Sequence, residues 1–180
     1  MTDSLFSGYT VLVADPDPGA RGLICVGLKA IGFNTVIEAK TSVDALKQFN
    51  RYHVDLLLLD FFPNEDDSLG VLNFIRRSPR SPYRQLPAVL CTGRTWPDEV
   101  SLARDAGVSE IMSKPITMTS LVKKVGSALF NAREFVVAEG YVGPCRRRLK
   151  KIYSGPLRRK EELEAEASEF LSDAQSHAPL

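Results

Sequence analysis

The sequence predicts a doubly wound α/β fold, five parallel strands covered by helices on both faces, followed by a C-terminal extension. Short apolar runs alternate with helix-like segments from Tyr9 to about Ala132, which is the pattern of a parallel sheet with crossover helices. The runs are also nearly continuous in apolar character, most plainly Val54-Asp55-Leu56-Leu57-Leu58-Leu59, as strands buried on both faces require. Four of them end on residues able to do chemistry. Val11-Leu12-Val13-Ala14 ends at Asp15, the leucine run at Asp60, Ala88-Val89-Leu90-Cys91 at Thr92, and Glu110-Ile111-Met112-Ser113 at Lys114-Pro115. Open α/β sheets bind ligands at the carboxyl ends of their strands, so two acids, a hydroxyl and a lysine are expected on one edge.

The elements follow in order. The first helix starts near Pro18, with Asp17 as its cap and proline in the first turn. Leu23, Val26, Leu28 and Ile31 are its expected apolar positions, and Gly32 ends it. A second strand around Thr35-Val36-Ile37 leads to a helix from Ser42 through Asn50, with Val43, Leu46 and Phe49 at helical spacing. The third helix follows Ser68 and turns Val71, Leu72 and Ile75 inward; Pro79 and Pro82 then begin a loop into the fourth strand. A fourth helix spans Pro97 to Ala106. The fifth opens after Thr117, with Leu121, Val125, Ala128, Leu129 and Ala132 on one stripe.

Composition narrows the class. A chain of 180 residues with net charge +1 has room for one good core plus some extra chain, and no apolar stretch reads as a membrane span. The start, Met1-Thr2-Asp3-Ser4-Leu5, lacks a basic region followed by an apolar one, so a cytoplasmic protein is expected. Cys25, Cys91 and Cys145 fit neither a disulfide framework nor a zinc site and read as reduced thiols. The near-neutral total hides a basic block, Arg146 to Lys160, and an acidic one, Glu161 to Asp173.

The basic block contains a short repeat. Tyr141-Val142-Gly143-Pro144-Cys145-Arg146-Arg147-Arg148 recurs as Tyr153-Ser154-Gly155-Pro156-Leu157-Arg158-Arg159-Lys160. Each Gly-Pro breaks a helix, so two turns presenting arginines are expected, followed by an acidic, Ala-rich helical stretch and a disordered end. The expected division is an N-terminal tail at residues 1–8, the α/β domain at 9–135, the Arg-rich repeat at 136–160 and the acidic C-terminus at 161–180.

Together these residues resemble the receiver domain of bacterial two-component response regulators, a flavodoxin/CheY-like fold, here of the stand-alone type. Asp60, Thr92 and Lys114 stand in the family's order, each at a strand end. The resemblance implies that Asp60 is the phosphoacceptor, that Thr92 bonds the phosphoryl group and that Lys114 pairs with it. It also implies Mg²⁺, with Asp15, Asp17 and Asp60 as candidate ligands. Three positions depart from the pattern. Pro16 replaces the second acid of the family's acidic pair, the loop Phe61-Phe62-Pro63 is a residue short, and Ile111 stands where the family carries an aromatic. Glu65, Asp66 and Asp67 read as a solvated loop, with added negative potential or a stray metal ligand as the alternative.

The implied function is a response regulator acting through protein contacts, not a DNA-binding factor and not an enzyme. A histidine kinase or phosphotransfer protein is the expected donor, a protein the expected target, and a homodimer a further option. Arg146, Arg147, Arg148, Arg158 and Arg159 suit bidentate contacts with carboxylates or phosphates. They allow an acidic protein face, cyclic di-GMP, nucleic acid or anionic lipid, or pairing with the acidic stretch of the same chain. Two other readings stand beside the first: a phosphorylation-independent scaffold, favoured by Pro16 and Ile111, and a cyclic di-GMP effector, favoured by the arginine repeat.

Overall fold

In a computed structural model of the protein, residues 4–63, 69–79, 81–93 and 96–147 are described. Five strands, β1 (Thr10–Ala14), β2 (Thr35–Ala39), β3 (Leu56–Leu59), β4 (Ala88–Thr92) and β5 (Glu110–Ser113), form one sheet. Their order is β2-β1-β3-β4-β5, and every pair is parallel, with Ala14 in register with both Ala39 and Leu59. This is the doubly wound, CheY-like arrangement that the alternation of runs predicts.

The helices α1 (Pro18–Ala30), α2 (Ser42–Phe49), α3 (Gly70–Arg77), α4 (Pro97–Asp105) and α5 (Met118–Phe130) divide between the two faces. Strand alternation makes the division, because successive side chains point to opposite faces. Leu57 and Leu59 join Leu12, Leu90, Phe49, Leu72 and Ile75 in one core, while Leu56 and Leu58 join Val11, Val89, Ile24, Leu28, Leu121 and Val125 in the other. All four leucines of β3 are fully buried. At about 1.5–3 kcal/mol for each such side chain, this central strand is a large part of the hydrophobic stabilisation.

Helix starts follow the capping chemistry. Asp17 accepts from Ala20 N at 2.6 Å with Pro18 in the first turn of α1, Thr41 caps α2, and Thr117 with Ser120 forms a reciprocal capping box on α5. Gly32, at φ 106, follows α1.

Some inward-facing assignments need correction. In α1, Leu23 and Val26 are 67% and 68% exposed, while Ile24, Cys25, Gly27 and Leu28 face the core. The buried stripe is shifted by one residue because Gly27 lies under α5: a Cβ there would meet Leu121 Cδ2 at 2.9 Å. In α2, Val43 is exposed and Ala45 with Phe49 makes the contact. Ala132 lies beyond the end of α5 and is exposed.

The segment expected to form an arginine-bearing turn is instead an antiparallel hairpin, β6 (Phe135–Ala138) with β7 (Tyr141–Pro144), turning through Glu139 and Gly140. Gly143-Pro144 closes β7. Gly143 is required there by a close crossing, since its Cβ would lie 2.7 Å from Gly107 Cα. Arg133 holds the hairpin base, donating to Cys145 O at 2.6 Å, Ser109 O at 2.7 Å and Val108 O at 3.3 Å. The compact unit runs through Arg146.

The second copy of the repeat, the acidic block, and Glu65, Asp66 and Asp67 lie outside the described residues. Among the described residues the three cysteines are unpaired thiols, and no helix is long and apolar enough to cross a membrane.

Candidate functional site

Parallel register brings the four strand ends to one edge, and the ladder continues into the site residues themselves. Asp15 N donates to Ala39 O at 3.2 Å, Asp60 N to Ala14 O at 3.0 Å, and Lys114 N to Thr92 O at 2.8 Å. Asp15, Asp60, Thr92 and Lys114 thus have backbones fixed by the sheet. They line a cleft of about 480 Å³ together with Pro16 and Asp17.

The lysine joins the two acids. Lys114 Nζ donates to Asp15 Oδ2 and to Asp60 Oδ2, each at 2.7 Å. The other carboxylate oxygens are held by backbone: Asp15 Oδ1 accepts from Asp17 N at 2.8 Å, and Asp60 Oδ1 from Phe61 N at 2.7 Å. Every oxygen of the pair therefore already faces a donor. The Asp15 side chain is 2% exposed, those of Asp60 and Lys114 17% and 21%. Hydrogen bonds between charged partners in so sheltered a place are worth more than exposed ion pairs.

Burial pulls the Lys114 ammonium down, but its hydrogen bonds to Asp15 and Asp60, with both negative charges, outweigh burial and hold it above its ordinary value. A cation raised in the folded state contributes stability that is present in full below its ordinary pKa and lost as pH rises through the folded one. Lys114 is thus charged at neutral pH. Next to Thr92, the buried Cys91 thiol is pushed up by burial and stays protonated, so it is not a nucleophile. Thr92 itself is 1% exposed, and the Lys114-Pro115 bond is cis.

Asp17 stands apart from the pair. It lines the cleft, but its carboxylate accepts from Ala20 N as the cap of α1, which holds it toward the helix. One further residue belongs to the site. Arg21 donates from Nη1 to Asp15 O at 2.7 Å and from Nε to Glu38 Oε2 at 3.1 Å. A cation in the first turn of a helix opposes the helix dipole, and that misfit was the signal in the sequence.

Of the tail arginines, Arg146 pairs with Asp105 at 2.6 Å and lies 4.6 Å above the Tyr141 ring. Arg147 is exposed. Arg148, Arg158 and Arg159 lie outside the described residues, and so does the expectation of a cyclic dinucleotide or acidic partner that rests on them.

Residues 11–126 match the family model for the response regulator receiver domain, and the chain belongs to that family. It is 27% identical over 127 residues to a probable cyclic di-GMP phosphodiesterase of Vibrio cholerae serotype O1, covering 71% of this chain and 28% of that protein. It is 25% identical over 129 residues to the phosphate regulon transcriptional regulatory protein PhoB of Escherichia coli K12, covering 72% of this chain and 55% of PhoB. The chain spans less than two thirds of the length of these curated relatives. Among solved structures, the chemotaxis response regulator CheY4 of Vibrio cholerae aligns with a TM-score of 0.61 and 21% identity, over 67% of this chain and 98% of that one. A response regulator from Chloroflexus aurantiacus aligns with a TM-score of 0.61 and 23% identity, over 67% and 97%. The latter two share the fold.

Receiver domains in general bind Mg²⁺ at their acidic phosphorylation site. Mg²⁺ demands oxygen ligands in near-ideal octahedral geometry. Here Pro16 brings no carboxylate, Asp17 caps a helix, and the oxygens of Asp15 and Asp60 already accept hydrogen bonds from Lys114 and from backbone. Among the described residues no three His, Cys, Asp or Glu side chains gather into a metal-binding group. The described donor set does not fit a resident magnesium ion.

Proposed function

We propose that the protein is a response regulator of a two-component phosphorelay, phosphorylated on Asp60 and acting in the cytoplasm through protein contacts. The observation that carries this reading is the Asp60 carboxylate at the sheet edge, tied to Lys114 at 2.7 Å in a cleft shared with Thr92. Phosphoryl transfer asks little covalent chemistry of a protein beyond positioning and neutralisation of charge. Asp60 supplies the nucleophilic oxygen. A new P–O bond forms to it as the bond to the donor breaks, and the donor atom keeps that electron pair. The donor is a phosphohistidine of a kinase or phosphotransfer protein, or acetyl phosphate. Lys114 faces the growing negative charge and Thr92 lies within the same cleft.

The product adds negative charge beside Asp15, which favours drawing Lys114 toward the phosphoryl group. The backbone bond from Lys114 N to Thr92 O links that movement to β4 and β5. A face altered in this way is the proposed output surface.

Incubation with acetyl phosphate followed by Phos-tag electrophoresis tests the reading. A retarded band is expected for the wild type and complete loss of it for Asp60→Asn. A band of equal strength in both would move the acceptor elsewhere. No band in either would leave the phosphorylation-independent scaffold.

A further inference from the structure

We propose that Lys114 is the resident cation of the Asp15/Asp60 pair and that the described site holds no divalent ion at cellular millimolar Mg²⁺. The inference deepens the phosphoacceptor reading and takes its meaning from it, but ion binding is measured separately from phosphorylation.

Three observations meet at this point. The first is connectivity: one ammonium bridges both carboxylates with two 2.7 Å bonds, and backbone amides of Asp17 and Phe61 take the remaining oxygens. A divalent ion coordinating the same oxygens must displace a charged lysine or sit against it, and like charges in a sheltered site repel strongly. The second is the missing ligand. Pro16 lines the cleft with no side-chain oxygen, and the acid one residue further on is committed to capping α1. The third is Arg21, whose guanidinium donates to the carbonyl of Asp15. Its own partner Glu38 is half exposed, so a second cation stands against the backbone of Asp15.

The charge count agrees. Asp15 and Asp60 carry two negative charges and Lys114 one positive, leaving a single net negative charge among the three. Here compensation is built into the chain, at the end of a strand whose backbone is fixed by the bond to Thr92.

Isothermal titration of the full-length protein with MgCl₂, with Trp96 fluorescence as a second probe, decides the matter. The wild type is expected to give no saturable response across the millimolar range. Pro16→Asp, which adds a carboxylate, and Lys114→Met, which releases two, are each expected to bind Mg²⁺ at least about 10-fold more tightly than the wild type, the lower end of what loss of an outer-shell partner alone costs a metal site. Wild-type saturation at sub-millimolar Mg²⁺ would overturn the proposal, as would failure of both folded variants to gain affinity, each fold being checked by circular dichroism. Neither result depends on the Phos-tag experiment. A protein that labels on Asp60 yet binds Mg²⁺ well refutes the cation assignment alone, and one that does neither refutes the phosphoacceptor reading alone.

Discussion

Replacing Arg76 with Ala is expected to lower the free energy of unfolding by about 3–5 kcal/mol, the upper part of the range for opening a core cavity and breaking a buried hydrogen-bond network. Arg76 is 1% exposed and is held by carbonyls rather than by an acid. Nε and Nη2 donate to Gly107 O at 3.2 and 3.1 Å, Nη2 also to Leu86 O at 2.6 Å, and Nη1 to Arg84 O at 2.7 Å and Tyr83 O at 3.5 Å. Burial lowers its pKa to about 10, still far above neutrality, so the guanidinium stays charged. Truncation leaves the buried Gly107 and Leu86 carbonyls without the guanidinium and opens a cavity beneath Phe135, whose ring lies 5.6 Å from the guanidinium carbon. Unsatisfied buried carbonyls are more costly than the bonds were favourable. Urea denaturation followed by circular dichroism measures the loss. Arg76→Lys is expected to recover only part of it, because an ammonium lacks the planar fork that reaches all four carbonyls. A loss below about 1 kcal/mol, the size of a single ordinary hydrogen bond, would show that water replaces the guanidinium at little cost.

Gly107→Ala is expected to cost about 2–4 kcal/mol and to detach the β6–β7 hairpin. The residue sits at φ 87, where a Cβ alone costs about 1–2 kcal/mol. The added carbon would also stand 2.6 Å from Val142 O and 3.2 Å from Gly143 Cα. Both atoms are backbone, so relief requires moving β7 rather than turning a side chain. Hydrogen exchange is the specific readout: amides of residues 135–145 should lose protection well before those of β3. Equal protection across both regions would mean that the hairpin shifts as a body and stays attached.

The hairpin also shows where sequence reading stops. Strand number, helix number and the edge bearing Asp15, Asp60, Thr92 and Lys114 are legible because strand runs buried on both faces have a plain signature and because parallel strands bring their ends to one side. Phe135-Val136-Val137-Ala138 followed by Glu139-Gly140 carries an ordinary hairpin signal, but the Gly-Pro repeat beside it suggests a break instead. Gly143 is there to let two backbones cross, a long-range requirement with no local trace. Leu23 and Val26 mislead for a related reason. Helical periodicity tells that a stripe exists, while its exact rotation depends on Gly27 meeting Leu121. The lysine bridge is a third case: residue types point to the site, but that a single ammonium reaches both carboxylates, and that Asp17 turns away to cap a helix, is a matter of distances.

The open sheet has two outer strands, and each carries a glutamate. Glu38 lies within β2 and bonds to Arg21, while Glu110 opens β5 and bonds to Lys124 at 2.7 Å and to Ser127 at 3.0 Å. A free strand edge invites another chain to pair with it, and charges placed along it are a common deterrent. An approaching strand would have to desolvate or dislodge these ion pairs before gaining backbone hydrogen bonds. The parallel sheet that gathers the acids at one end thus carries, on each outer strand, a charge of the kind that discourages sideways pairing.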